Sequence, residues 1–83
     1  KTMDKLLVEV FFPAAGKRYE VQIPQDLRLY EIGRILAKLF EGEEPGNYRE
    51  GDAALCDRGG AIYNASCTPR ELGWQNGEQL LFY

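Results

Sequence analysis

Eighty-three residues allow one domain, residues 1–83, with a single small core. Hydrophobic residues at 45% and charged residues at 28% give an ordinary globular balance, not a disordered one. Thirteen acidic against ten basic side chains leave a net charge of −3, which argues against a nucleic-acid partner, and no apolar run approaches the roughly 18–20 residues that cross a bilayer.

Leu6 to Phe12 alternates as a strand, with Leu6, Val8, Val10 and Phe12 on one face and Leu7, Glu9 and Phe11 on the other. Pro13-Ala14-Ala15-Gly16 supplies turn residues, and Lys17 to Ile23 alternates again, so the two runs predict a β-hairpin. Pro24 ends the second strand because it has no N–H for a ladder. From Leu29 the apolar period becomes helical, with Leu29, Ile32, Leu36, Leu39 and Phe40 on one stripe. Gly42 is placed to cap that helix in a left-handed conformation. Gly33 lies mid-helix on the core side; close approach of helix and sheet explains it, and so does simple propensity noise.

Glu43 to Asp52 is polar, holds Pro45 and two glycines, and reads as an exposed loop. Ala53 to Cys56 and Ala61 to Asn64 read as two short strands around an Asp57-Arg58-Gly59-Gly60 turn. Thr68-Pro69-Arg70-Glu71 carries a capping box, and Gly73 stops the helix after one turn. Trp74 is expected to anchor that turn in the core. Asn76-Gly77 makes the last reversal before a strand from Gln79 to Tyr83.

The chemistry-bearing residues are sparse. Histidine is absent, which removes the commonest general base and the commonest metal ligand. Cys56 and Cys67 cannot alone complete a tetrahedral zinc site, are not a CxxC pair, and read as free thiols unless their strands meet in a disulfide. Asp52, Asp57, Glu71 and Glu78 are scattered about turns, where solvated carboxylates are the default. The glycine-rich turn lacks the lysine and following helix of a phosphate loop. Asn64-Ala65-Ser66 fits a glycosylation sequon that, with no secretory signal before it, reads as chance. The expectation is no enzyme, no cofactor and no metal.

A hairpin followed by one long helix and three short strands requires that helix to cover the only sheet available. The expected fold is α+β: a β-grasp with a mixed four- to five-stranded sheet, the first strand central and the last strand parallel to it. At this point the chain resembles the ubiquitin-like proteins, and within them the YukD/EsaB family of type VII secretion systems. The residues that carry the resemblance are Ile23-Pro24 leading into the helix and the closing run Glu71-Leu72-Gly73-Trp74-Gln75-Asn76-Gly77-Glu78-Gln79-Leu80. Similar domains also form the cytoplasmic N-terminus of large membrane subunits of mycobacterial-type secretion machines. Ubiquitin and the sulfur carriers end in a flexible Gly-Gly tail, whereas the sequence here closes Leu80-Leu81-Phe82-Tyr83 and its Gly59-Gly60 is internal. If Tyr83 is the natural terminus, conjugation and sulfur transfer are excluded.

Alternation also forces apolar residues onto the sheet face opposite the helix. Leu7, Phe11, Leu81 and Tyr83 fall there, and Leu55 joins them if Ala54 and Cys56 point inward. By resemblance this is the face through which ubiquitin meets most partners. Isolated surface apolar residues are normal, and chain outside the segment can cover them; a contiguous patch usually marks a contact. Burying about 400 Å² yields roughly 10 kcal/mol gross, and association costs of about 4–15 kcal/mol remove most of it. Such a patch binds weakly unless self-association, as a weak homo-oligomer, or a larger assembly adds to it. The reading is a non-catalytic ubiquitin-like adaptor in bacterial type VII secretion. Its partners would be proteins, secretion-system membrane subunits among them, and it would sit in the cytoplasm at the inner face of the membrane without inserting. The alternatives are a trimmed modifier or sulfur carrier, distinguished by residues after Tyr83, and the cytoplasmic domain of a larger membrane subunit.

Overall fold

A computed structural model describes residues 4–13, 15–43 and 54–83. The elements follow in the order β1 (Lys5–Phe12), β2 (Lys17–Pro24), α1 (Leu29–Glu43), β3 (Leu55–Cys56), α2 (Pro69–Leu72) and β4 (Glu78–Phe82). The polar loop expected after α1 lies outside the described residues from residue 44 to Asp52, as does Ala53, expected to open the third strand.

The sheet order is β2-β1-β4-β3. β1 and β2 pair antiparallel without interruption from Lys5↔Pro24 to Phe12↔Lys17. Gly16, at φ +65°, takes the left-handed position that lets the connecting turn close. β4 lies parallel to β1, with Val10 opposite Leu80 and Phe11 opposite Leu81. This is the expected β-grasp, with four strands. The strand expected over Ala61 to Asn64 is reduced to one bridge, Cys56↔Ile62. The chain leaves the sheet there to serve α1. The carbonyls of Cys67 and Ala65 accept from the N–H groups of Leu29 and Tyr30, two donors that a helix start otherwise leaves unmatched.

The core is aromatic at its centre. Phe12, Phe40 and Phe82 are fully buried. The Phe40 ring stacks on Phe12 at 4.6 Å and meets Phe82 edge-on at 5.6 Å. Rings at such spacings gain about 0.5–1.5 kcal/mol per pair beyond their buried area. Val8, Val10, Leu80, Ile32, Leu36 and Trp74 are among the residues of the same cluster, and Tyr63 packs edge-on against Trp74 at 5.0 Å. The capping box of α2 forms as expected: the Thr68 hydroxyl accepts from the Glu71 N–H, and the Glu71 carboxylate accepts from the Thr68 N–H.

Three helix expectations are corrected. α1 runs to Glu43, so Gly42 lies within the helix and not beyond its end. Leu39 is 48% exposed and Ala37 is buried in its place. At about 100° per residue the contact stripe centres on Leu29, Leu36 and Phe40, and Leu39 falls on its shoulder. Among the described residues no side chain lies within 4 Å of a Cβ added at Gly33, so none from the sheet presses on it.

Candidate functional site

The face of the sheet turned away from α1 is built by alternation. β1 sends Leu7, Glu9 and Phe11 to it, β2 sends Arg18, Glu20 and Gln22, and β4 sends Gln79 and Leu81, with Tyr83 following directly after it, because their neighbours Val8, Val10, Phe12, Leu80 and Phe82 are buried on the other side. The register arranges these side chains in rows. One row runs Arg18–Phe11–Leu81–Cys56 across all four strands. The next runs Glu20–Glu9–Gln79. Leu7 stands beyond it, opposite Gln22.

Of the five apolar residues expected on this face, the structure places four. Phe11 and Leu81 are cross-strand neighbours and half-buried. Tyr83 is 54% and Leu7 40% exposed. Leu7 is set apart from Phe11 by the Glu9 row, in which the Gln79 side-chain amide donates to Glu9 at 2.8 Å. Leu55 is not on this face. It is buried in the core cluster because it pairs with Phe82, and antiparallel partners share a face. Cys56 is the residue opposite Leu81, and the chain returning through Ile62 lies against it. The expected inward and outward positions of β3 are therefore exchanged.

Two cations flank the apolar pair. The Arg18 guanidinium lies 5.3 Å from the centre of the Phe11 ring, within cation–π range. Arg58 reaches the same region from the turn after β3. Together with Glu9, Gln79 and Leu81 these side chains line a shallow groove of about 290 Å³. Arg18 was legible as an outward residue of an alternating strand. Arg58 carried no signal, because a turn residue's direction depends on how the turn folds back.

Among the described residues, the turn carboxylates Asp57, Glu71 and Glu78 each accept hydrogen bonds from nearby backbone N–H groups. Asp57 accepts from the N–H groups of Gly59 and Ala61 at 2.9 and 3.0 Å and so holds its own turn. Glu71 is bound in the capping box, and Glu78 accepts from the Gln75 N–H. Asp57 and Glu78 border a polar cleft of about 500 Å³ beside Tyr63, whose hydroxyl is pushed above its ordinary pKa by burial and then by these two carboxylates. Burial, followed by the Asp57 charge, likewise raises the Cys56 thiol. A thiol held protonated is a poor nucleophile. Cys56 and Cys67 are both free. Among the described residues no three metal-ligating side chains converge, and no helix is long and apolar enough to cross a membrane.

No family model matches the chain, and no curated protein matches it. Solved structures do. The ubiquitin-like domain of Dsk2 from Plasmodium falciparum aligns at a TM-score of 0.74 and 15% identity, over 95% of this chain and 96% of that one. The ubiquitin-like domain of EccD5 from Mycobacterium xenopi aligns at 0.73 and 10% identity, over 96% and 93%. A chain of the MycP5-free ESX-5 inner membrane complex aligns at 0.79 and 19% identity, over 95% of this chain and 20% of that one. The fold is a ubiquitin-like β-grasp, and at these identities the likeness is one of fold.

Proposed function

We propose that this chain is a non-catalytic ubiquitin-like docking module that works by protein–protein contact, within or beside a type VII secretion machine and on the cytoplasmic side of its membrane. The observation that carries the reading is the Phe11–Leu81 pair. It lies side by side on a sheet face that no helix among the described residues covers, with Arg18 and Arg58 at its rim. An apolar centre with a charged rim is the usual layout of a protein contact. It suits a partner that offers one or two apolar side chains bordered by carboxylates. The closing Glu71–Leu80 run resembles the YukD/EsaB proteins, and the likeness in fold to domains of ESX inner-membrane assemblies supports the same setting. The match that spans only 20% of an ESX-5 chain favours, as a second reading, the cytoplasmic domain of a larger membrane subunit.

Capture of the purified chain by solubilised type VII membrane subunits tests the proposal. The expected result is binding that Phe11→Asp abolishes while the far-ultraviolet circular dichroism is retained. Failure of every subunit to capture the chain, with normal export after its deletion, would refute it.

A further inference from the structure

The two edges of the sheet differ. β3 offers two residues, whereas β2 offers eight in a register with β1 that shows no bulge, and Pro24 stands only at its end. Among the described residues, no strand pairs with the side of β2 away from β1. A long regular edge of this kind is a template for another strand.

The side chains of β2 say which strand. Arg18 and Glu20 are both exposed and share the outer face. Glu20 stands opposite Glu9 in the β1–β2 ladder, and Glu9 takes its hydrogen bond from Gln79. Glu20 thus meets a like charge, which disfavours the pairing, and no cation reaches it among the described residues. Two copies of β2 can pair antiparallel about a two-fold axis only if that axis passes through a residue, because opposed side chains must share a face. An axis through Glu20 would set carboxylate against carboxylate. An axis through Val21 would form no ion pair and would bring Pro24 into the ladder. An axis through Tyr19 sets Arg18 of each copy opposite Glu20 of the other, twice, and spans Lys17 to Val21.

We propose that a second copy of this chain docks along β2, centred on Tyr19, to form a symmetric dimer with a continuous eight-stranded sheet. The other face of the junction carries Tyr19 and Val21, with Lys17 of each copy at its ends opposite Val21 of the other. Tyr19 is half-buried against Phe40 at 5.1 Å, and Val21 is half-buried beside it on that face. Above them, Ile35 and Leu39 are 52% and 48% exposed. They lie on the flank of α1 away from Tyr30, Gly33, Arg34 and Ala37, which face the β3 side. They therefore stand on the β2 side, where the incoming copy arrives. The dimer leaves the Phe11–Leu81 face open and presents it twice, which strengthens weak docking by multivalency.

Sedimentation velocity from micromolar to millimolar chain tests the pairing. The wild type is expected to pass from monomer to dimer. Arg18→Glu and Glu20→Arg are each expected to remain folded by circular dichroism and to raise the dimer dissociation constant about tenfold or more. An equimolar mixture of the two variants is expected to recover the wild-type constant. The first variant carries two carboxylates on this edge and the second two guanidinium groups, so each charge then meets its opposite. A wild type that stays monomeric at millimolar concentration overturns the proposal, whether or not β2 then takes up an extended segment of another protein. So does a mixture that associates no more tightly than either variant alone.

Discussion

Gly33→Ala distinguishes a packed helix–sheet contact from an open one. Gly33 lines a groove of about 270 Å³ between α1 and the chain from Ala54 to Ala65, and a methyl placed there meets no side chain of the described residues within 4 Å. Its φ lies in the ordinary helical range, so alanine adds no backbone strain. What remains is the backbone freedom that glycine loses on entering a helix, about 1 kcal/mol relative to alanine. The substitution is expected to stabilise the domain by about that amount and to raise Tm by roughly 4–8 °C in a domain of this size. Urea denaturation read by Trp74 fluorescence, with a thermal melt beside it, measures both. A loss of stability would show that helix and sheet approach too closely for a methyl group, and the open groove would then be wrong.

Two further outcomes follow from the same geometry. Leu55→Ala removes a core side chain and is expected to cost about 2–4 kcal/mol in urea denaturation, whereas Leu7→Ala, on the solvent face, is expected to change stability by less than about 0.5 kcal/mol; equal losses would place Leu55 on the outer face after all. The Arg70 guanidinium donates to Asp26 at 2.8 Å and holds that carboxyl below its ordinary 3.8, mainly through the hydrogen bond. A depressed carboxyl stabilises the fold above its unfolded pKa and loses that effect as pH falls through the folded value. The Tm difference between the wild type and Arg70→Ala is therefore expected to be present at neutral pH and to shrink below the ordinary carboxyl range; a difference independent of pH would reject the pair.

Much of this fold was legible in the chain because its signals are local. Alternation over Leu6–Phe12 and Lys17–Ile23, the helical period from Leu29, the capping box at Thr68 and the Asn76-Gly77 turn each depend on residues a few positions apart. Phe11, Leu81, Leu7 and Tyr83 could be placed outward by parity alone, since eight- and five-residue strands leave no doubt about period. β3 has two residues, and two residues have no period. Which of Leu55 and Cys56 faces inward was set by pairing with Phe82 and Leu81, partners more than twenty positions away.

The same distinction separates the two surfaces. The amino-acid sequence by itself determined a β-grasp with one amphipathic helix and a partly apolar outer sheet, because hydrophobic period and turn chemistry are encoded residue by residue. Only the tertiary structure decided that Leu7 is cut off from Phe11 by the Glu9–Gln79 row, that Arg18 and Arg58 border the apolar pair, and that β2 is the outermost of the described strands with Glu20 facing Glu9. Register and strand order are properties of pairs of distant segments, and their free energy appears only when those segments meet.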